Sequence, residues 1–282
     1  MSVAQISEQT SFDRSLTEMP PVKEILPDNC GGDVFGLHLT QLEPAEVAEL
    51  LLYKRRAPGT GAGLVVTVNI QHIATMRTDR EFRTAVAEAD LVTCDGFPVY
   101  LYARHHGYNI ERRTTGREIV ADIMEKPLPQ DQRPYFVVDS DETANALRAW
   151  GVKKGISDRL GVEVPPWGFV KNSSYCEELS MRISDFKATL LFMCTGAPQS
   201  EIYTHRYRMQ LPPCWAVCVG QSARLVLGLN PQPPKLAEKL NLEWLWRILL
   251  EPRRMLKRYV PSGMGFLMAM LEDSRSRKNA GC

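Results

Sequence analysis

Uninterrupted apolar and β-branched runs recur along the chain at residues 63–69 (GLVVTVN), 91–94 (LVTC), 135–139 (YFVVD), 189–194 (TLLFMC) and 215–219 (WAVCV). A strand with one wet face alternates apolar and polar residues. Runs without that alternation predict strands covered on both sides, as in a largely parallel sheet. Helical patterns fall between them at 44–54, 79–88, 98–105, 118–125, 141–153 and 200–210. The alternation predicts an α/β, Rossmann-like fold with helices on both faces of the sheet.

Polar residues and glycines cluster just past these runs: Asn69, Asp95-Gly96, Asp139-Ser140, Thr195-Gly196-Ala197-Pro198 and Gly220-Gln221-Ser222. Open α/β sheets bind ligands at the carboxyl ends of their strands, where helix amino termini offer free N–H groups to a phosphate. The rim built by these segments is the expected active site. Gly59, Gly61 and Gly63 look like a nucleotide loop but precede a strand instead of following one, so the dinucleotide-binding geometry fails.

The character of the chain changes after Pro231, Pro233 and Pro234, which break both helix and strand pairing. Beyond them Leu242, Leu245, Leu249 and Leu256 share a helical stripe, and Arg247, Arg253, Arg254, Lys257 and Arg258 add positive charge. This is the composition of an interfacial helix, although a helix packed on the domain has the same periodicity. The reading is a loose leader over 1–33, an α/β domain over 34–230 and an amphipathic, membrane-associating appendage over 231–282. No run reaches the roughly 18–20 apolar residues of a spanning helix, and the leader lacks the apolar core of a signal peptide. The 34 Lys and Arg nearly cancel the 33 Asp and Glu, so overall charge gives no argument for a nucleic-acid partner, and none is expected. Seven cysteines without a CxxC pair read as reduced packing thiols and not as metal ligands.

Asp95-Gly96 is the sharpest chemical feature. A carboxylate at a strand end can take a proton from an attacking hydroxyl, help worth about 10²–10⁴ in rate, whereas an isolated Asp-Gly is more often simply a turn. Thr67 and Asn69 lie two apart on a strand and would point to one face, though a strand threonine is commonly just a β-former. In the loop from Arg113, Thr115 can cap a helix and Gly116 admits a phosphate closely; capping alone is the commoner use. Gly196, Pro198, Ser200 and Glu201 open a helix at the rim, and Gly220 with Gln221 follows the last strand. His105-His106 has no partner at metal spacing, and no G-x-S-x-G elbow is present.

Taken in order, TVN at 67–69, ADLVTCDGFPV at 89–99, RTTGREIV at 113–120, TGAPQSE at 195–201 and LEWLWRILLEPRRMLKRY at 242–259 resemble the WecG/TagA/CpsF family of bacterial glycosyltransferases, glycosyltransferase family 26. The resemblance implies transfer of a sugar, with inversion, from a UDP-sugar to a polyprenyl-diphosphate-linked sugar during exopolysaccharide or surface-polysaccharide synthesis. It implies a cytoplasmic protein held peripherally on the inner face of the membrane by its appendage. Asp95 would be the base. Thr67, Asn69, Gly96, Arg113, Thr115, Gly116, Gly196, Pro198, Ser200, Glu201, Gly220 and Gln221 would bind substrate, and Arg247, Arg253 and Arg254 would close on the donor diphosphate. The family lacks a metal-binding DxD motif, and no cofactor or metal is implied.

Two departures bear on the donor: Ser200 stands where many members carry Gln, and Arg224 where many carry Asp. The DGFPV form resembles the branch that includes xanthan-type β-1,4-glucosyltransferases, which implies a UDP-hexose such as UDP-glucose. The departures also suggest an alternative, a non-catalytic nucleotide-sugar-binding or assembly protein. A nicotinamide-dependent oxidoreductase would rest on α/β alternation alone. Association into a homo-oligomer is left open.

Overall fold

The computed structural model describes residues 33–108, 110–231, 234, 243–250 and 252–280, excepting some side chains of the last two helices. Apart from Asp33, the expected leader lies outside the described residues, as do Pro233 and Leu242. The strands are β1 (Gly63–Val68), β2 (Leu91–Cys94), β3 (Pro134–Val137), β4 (Gly161–Glu163), β5 (Leu190–Met193) and β6 (Trp215–Cys218). The helices are α1 (Pro44–Tyr53), α2 (Ile70–Thr78), α3 (Arg80–Ala87), α4 (Phe97–His105), α5 (Gly116–Glu125), α6 (Asp141–Lys154), α7 (Ser173–Asp185), α8 (Gln199–Tyr207), α9 (Ser222–Val226), α10 (Glu243–Leu250) and α11 (Pro252–Ala280).

The strands form one sheet in the order β2-β1-β6-β5-β3-β4, with every pairing parallel. Both faces are buried, which is why the strands read as continuous apolar runs. Leu64, Val66 and Val68 of β1 pack with α2, α3 and α8 on one face. Val65 packs with α1, α5 and α6 on the other. Four elements were not expected. β4 is too short to stand out, α7 buries a narrow stripe that includes a serine, Ser180, α2 starts immediately where β1 ends, and α9 is only five residues long.

The neighbouring strands β1 and β6 send their following helices to opposite faces: Ile73 of α2 lies in one core cluster and Ala223 of α9 in the other. Such a reversal opens a crevice beyond the strands' carboxyl ends.

The C-terminal helix α11 packs along α2. A Cβ on Gly265 would lie 2.7 Å from the Ala74 Cβ, so the two backbones approach closely. Phe266 and Ala269 join the core beside Ile73 and Met76. Arg77 donates to both Glu272 oxygens at 3.0 and 2.7 Å, and the Tyr102 hydroxyl donates to Asp273 at 3.0 Å. Gly265→Leu should therefore overpack this crossing and cost about 1–3 kcal/mol, seen as a lower urea midpoint. An unchanged midpoint would mean that the helices do not meet here.

Candidate active site

The rim is built by backbone contact. The N–H groups of Asp95 and Gly96 both donate to the Val68 carbonyl, at 2.9 and 3.0 Å, which ties the end of β2 to the end of β1. A Cβ on Gly96 would sit 2.8 Å from the Asn69 Cα, so only glycine allows the approach. The loop ahead of α5 is laced to the same strand: Thr114 N–H donates to the Cys94 carbonyl, and the Thr93 hydroxyl donates to the Thr114 carbonyl, both at 2.9 Å. Arg113 Nη1 donates to the Asp95 carbonyl at 3.1 Å, and its guanidinium lies 5.9 Å from the Phe97 ring centroid.

Thr115 caps α5 in a reciprocal arrangement, accepting from the Glu118 N–H while the Glu118 carboxylate accepts from the Thr115 N–H. Gly116 follows, and a Cβ there would meet Ser222 Oγ at 3.0 Å and Thr67 Oγ1 at 3.3 Å. The amino end of α5 thus reaches the ends of β1 and β6. Gly196 and Gly220 hold φ of +84° and +52°, conformations that suit glycine. Their loops are adjacent, the Gly196 Cα lying 4.0 Å from where a Gly220 Cβ would be. Pro198, after a cis peptide bond, precedes α8, and Gln221 precedes α9.

Several side chains have duties inside the protein. Thr67 Oγ1 donates to the Cys218 carbonyl at 3.2 Å. Asn69 Oδ1 accepts from the N–H groups of Gln71 and His72 at 3.0 and 3.4 Å, capping α2. The two residues expected to meet one ligand are therefore each bonded to backbone. Ser200 is fully buried, with its hydroxyl 3.0 Å from that of Thr195. Glu201, 2% exposed, pairs with buried His72 at 3.3 Å. Both Ser200 and Glu201 lie beneath the rim. Arg224, also expected on the ligand rim, reaches α6, donating to Ser140 and Thr143 hydroxyls at 2.8 Å each and to Glu142 at 2.6 Å. Arg253 is exposed near the start of α11, whereas the side chains of Arg247 and Arg254 lie outside the described residues.

The structure thus gathers Thr67, Asp95, Gly96, Arg113, Thr115 and Gly116 at one crevice, with Gly196, Gly220 and Gln221 on adjoining loops. Burial pushes the Cys94 thiol up to about 12; the Asp95 carboxylate adds to the shift and Arg113 works against it. Cys94 is consequently a packing thiol at neutral pH and no nucleophile. The sequence reading missed His72 as the partner of Glu201, and it missed Phe97 and Tyr100. These two rings line a cavity of about 250 Å³ with Glu111, Arg112, Arg113, Thr115 and Glu118. The FP pair just after Asp95-Gly96 was the only available signal.

Opposite its buried face, α11 exposes Leu256, Val260, Met264, Leu267 and Leu271, recurring every three or four residues along one side. Lys257 is exposed near the beginning of this stripe. No helix among the described residues is long and apolar enough to cross a membrane.

The family model described as "Glycosyl transferase WecG/TagA/CpsF family" matches residues 32–280. An N-acetylglucosaminyldiphosphoundecaprenol N-acetyl-beta-D-mannosaminyltransferase of Bacillus spizizenii strain W23 is 24% identical over 217 residues, covering 75% of this chain and 80% of the relative. Proteins of the same name are 20% identical in Bacillus subtilis strain 168, covering 76% of this chain and 81% of the relative, and 20% in Staphylococcus aureus strain NCTC 8325, covering 79% and 85%.

The capping geometry of Asn69 has a direct test. Asn69→Ala should lower stability by about 1 kcal/mol, and Asn69→Asp, which caps comparably, should restore it. Equal unfolding midpoints for all three chains would show that the cap is not formed.

Proposed function

The chain belongs to the WecG/TagA/CpsF family of glycosyltransferases, and we propose that it moves a hexose from a UDP-sugar to a sugar carried on a polyprenyl diphosphate. The observation that supports this reading best is the bond from Arg113 to the Asp95 backbone carbonyl, which brings a cation and a carboxylate-bearing residue together at the crevice beyond β1 and β2. An inverting transfer requires a base beside the acceptor hydroxyl and positive charge or N–H groups at the departing diphosphate. Asp95 takes the hydroxyl proton as the oxygen bonds to the anomeric carbon of the donor. The bond from that carbon to the diphosphate breaks in the same step, and UDP departs with the electron pair. Charge on the leaving phosphate is met by free N–H groups at the rim and by arginine, whose planar fork suits phosphate oxygens. The appended cations Arg247, Arg253 and Arg254 join in this role.

The donor sugar follows from the DGFPV form, which favours UDP-glucose or a related UDP-hexose. The named relatives support a lipid-diphosphate acceptor and bring N-acetylmannosamine into the comparison as the transferred sugar. A panel of UDP-sugars offered with a short prenyl-diphosphate-linked sugar is expected to give transfer from one donor. Asp95→Asn should cut that turnover by about 10²–10⁴ while leaving donor binding unchanged. Near-normal turnover by the variant would remove Asp95 as the base. Donor binding without transfer across the whole panel would favour a non-catalytic nucleotide-sugar-binding protein.

The exposed stripe of α11 supports peripheral attachment to the inner face of the membrane. Its apolar side chains and the cations at its beginning suit a helix lying in an anionic lipid surface. Replacing Met264 and Leu267 together with Asp should reduce sedimentation with anionic vesicles several-fold. Because both side chains are more than half exposed, at 62% and 54%, the unfolding midpoint should stay constant. Undiminished sedimentation would contradict membrane attachment through this face.

A further inference from the structure

We propose that the cavity beside Asp95 is the acceptor subsite and that Phe97 is the platform on which the acceptor's sugar ring lies; this rests on the glycosyltransferase reading above. Phe97 and Tyr100 stand on successive turns at the start of α4, with ring centroids 6.2 Å apart and planes inclined by 24°. The two nearly parallel rings supply the apolar part of the lining. The rest of the lining is polar, built from Glu111, Arg112, Arg113, Thr115 and Glu118. A pyranose has the matching two-sided chemistry, with C–H bonds over its ring face and hydroxyls around its edge.

The walls are held in place by bonds of their own. The Tyr100 hydroxyl donates to the Glu111 carbonyl at 3.0 Å and accepts from Arg104 at 3.0 Å, which fixes the aromatic wall to the loop across the cavity. Arg112 pairs with Glu118, and Glu118 accepts from the Thr115 hydroxyl at 2.7 Å. Arg113 links the cavity to the Asp95 backbone. Arg112 and Arg113 bring positive charge to this lining beside the carboxylates of Glu111 and Glu118, a mixture suited to sugar hydroxyls.

Sheet order separates this subsite from the donor. Along the rim come the glycine loops after β5 and β6, then Thr67 at β1, then Asp95 at β2. The cavity is formed by the segment that follows Asp95 and by the loop bonded to it. A donor diphosphate on the glycine loops and helix amino termini leaves the acceptor to enter from the β2 edge. Asp95 then stands along the rim between the glycine loops and the cavity. Stacking of the donor's uracil on Phe97 is the competing arrangement, and kinetics separates the two.

The test uses the full chain with geranyl-diphosphate-linked N-acetylglucosamine as acceptor and the active UDP-sugar as donor. Phe97→Leu keeps an apolar side chain but loses the flat face, and Phe97→Tyr keeps it. The expected result is an acceptor KM raised tenfold or more in Phe97→Leu, a donor KM within twofold of wild type, and recovery in Phe97→Tyr. A raised donor KM with an unmoved acceptor KM would overturn the proposal in favour of a uracil site, and two unmoved KM values would overturn it outright. If wild type transfers no sugar, the glycosyltransferase reading fails. Saturation-transfer NMR with N-acetylglucosamine 1-phosphate then still decides the subsite. A sugar signal in wild type that is lost in Phe97→Leu supports it, and equal signals or none reject it.

Discussion

The Val68 carbonyl accepts hydrogen bonds from the N–H groups of both Asp95 and Gly96, and that pair of hydrogen bonds is possible only because residue 96 has no side chain to strike Asn69. The proposed base thereby gains a fixed position relative to the first strand. The same economy recurs at Gly116, which lets the start of α5 close on Thr67 and Ser222. Three strand ends are thus drawn to one crevice, two by backbone hydrogen bonds and the third by the close approach of Gly116 to the Thr67 and Ser222 hydroxyls. The backbone bonds at Val68 cannot rearrange by rotamer changes, so they pre-organise the proposed site.

This crevice is coupled physically to the C-terminal helix. α2 starts at the Asn69 cap and carries α11 against its side through the Gly265–Ala74 approach. One face of α11 closes the core with Phe266 and Ala269, and the other presents apolar side chains outward. A protein that acts on a lipid-linked sugar needs its site held at a defined height above the bilayer. Under the proposed membrane attachment, a single helix that is both core element and exposed apolar surface would meet that need, since this surface and the first rim residue belong to one packed unit.

The parallel sheet was legible because burial on both faces leaves little that is polar inside β1, β2, β5 and β6, where Thr67 and Thr93 are the only hydroxyl side chains. The rim was legible for a related reason: polar and glycine residues reappear where each strand leaves the core. Other parts left no such trace. Asn69 looked like the last residue of a strand, which concealed α2. Thr67 and Asn69 were expected to be paired ligand groups, yet the backbone groups of Cys218, Gln71 and His72 occupy their polar atoms. Ser200 and Glu201 looked like rim residues, although the first turn of α8 directs both inward. The docking of α11 was hidden because Ser262, Gly265 and Ala269, which permit the close approach, carry almost no hydrophobic signal. The leucines that do carry it, such as Leu249 and Leu256, face outward.

The central claim is that Asp95 and the departing diphosphate share one crevice on opposite sides of the reacting carbon. A crystal structure of the chain with an unreactive UDP-sugar analogue measures this most directly. The account predicts the diphosphate on the glycine loops after β5 and β6, with the Asp95 carboxylate on the far side of the anomeric carbon, facing the cavity at Phe97. A donor bound elsewhere, or an Asp95 carboxylate turned away from the anomeric carbon, would contradict it.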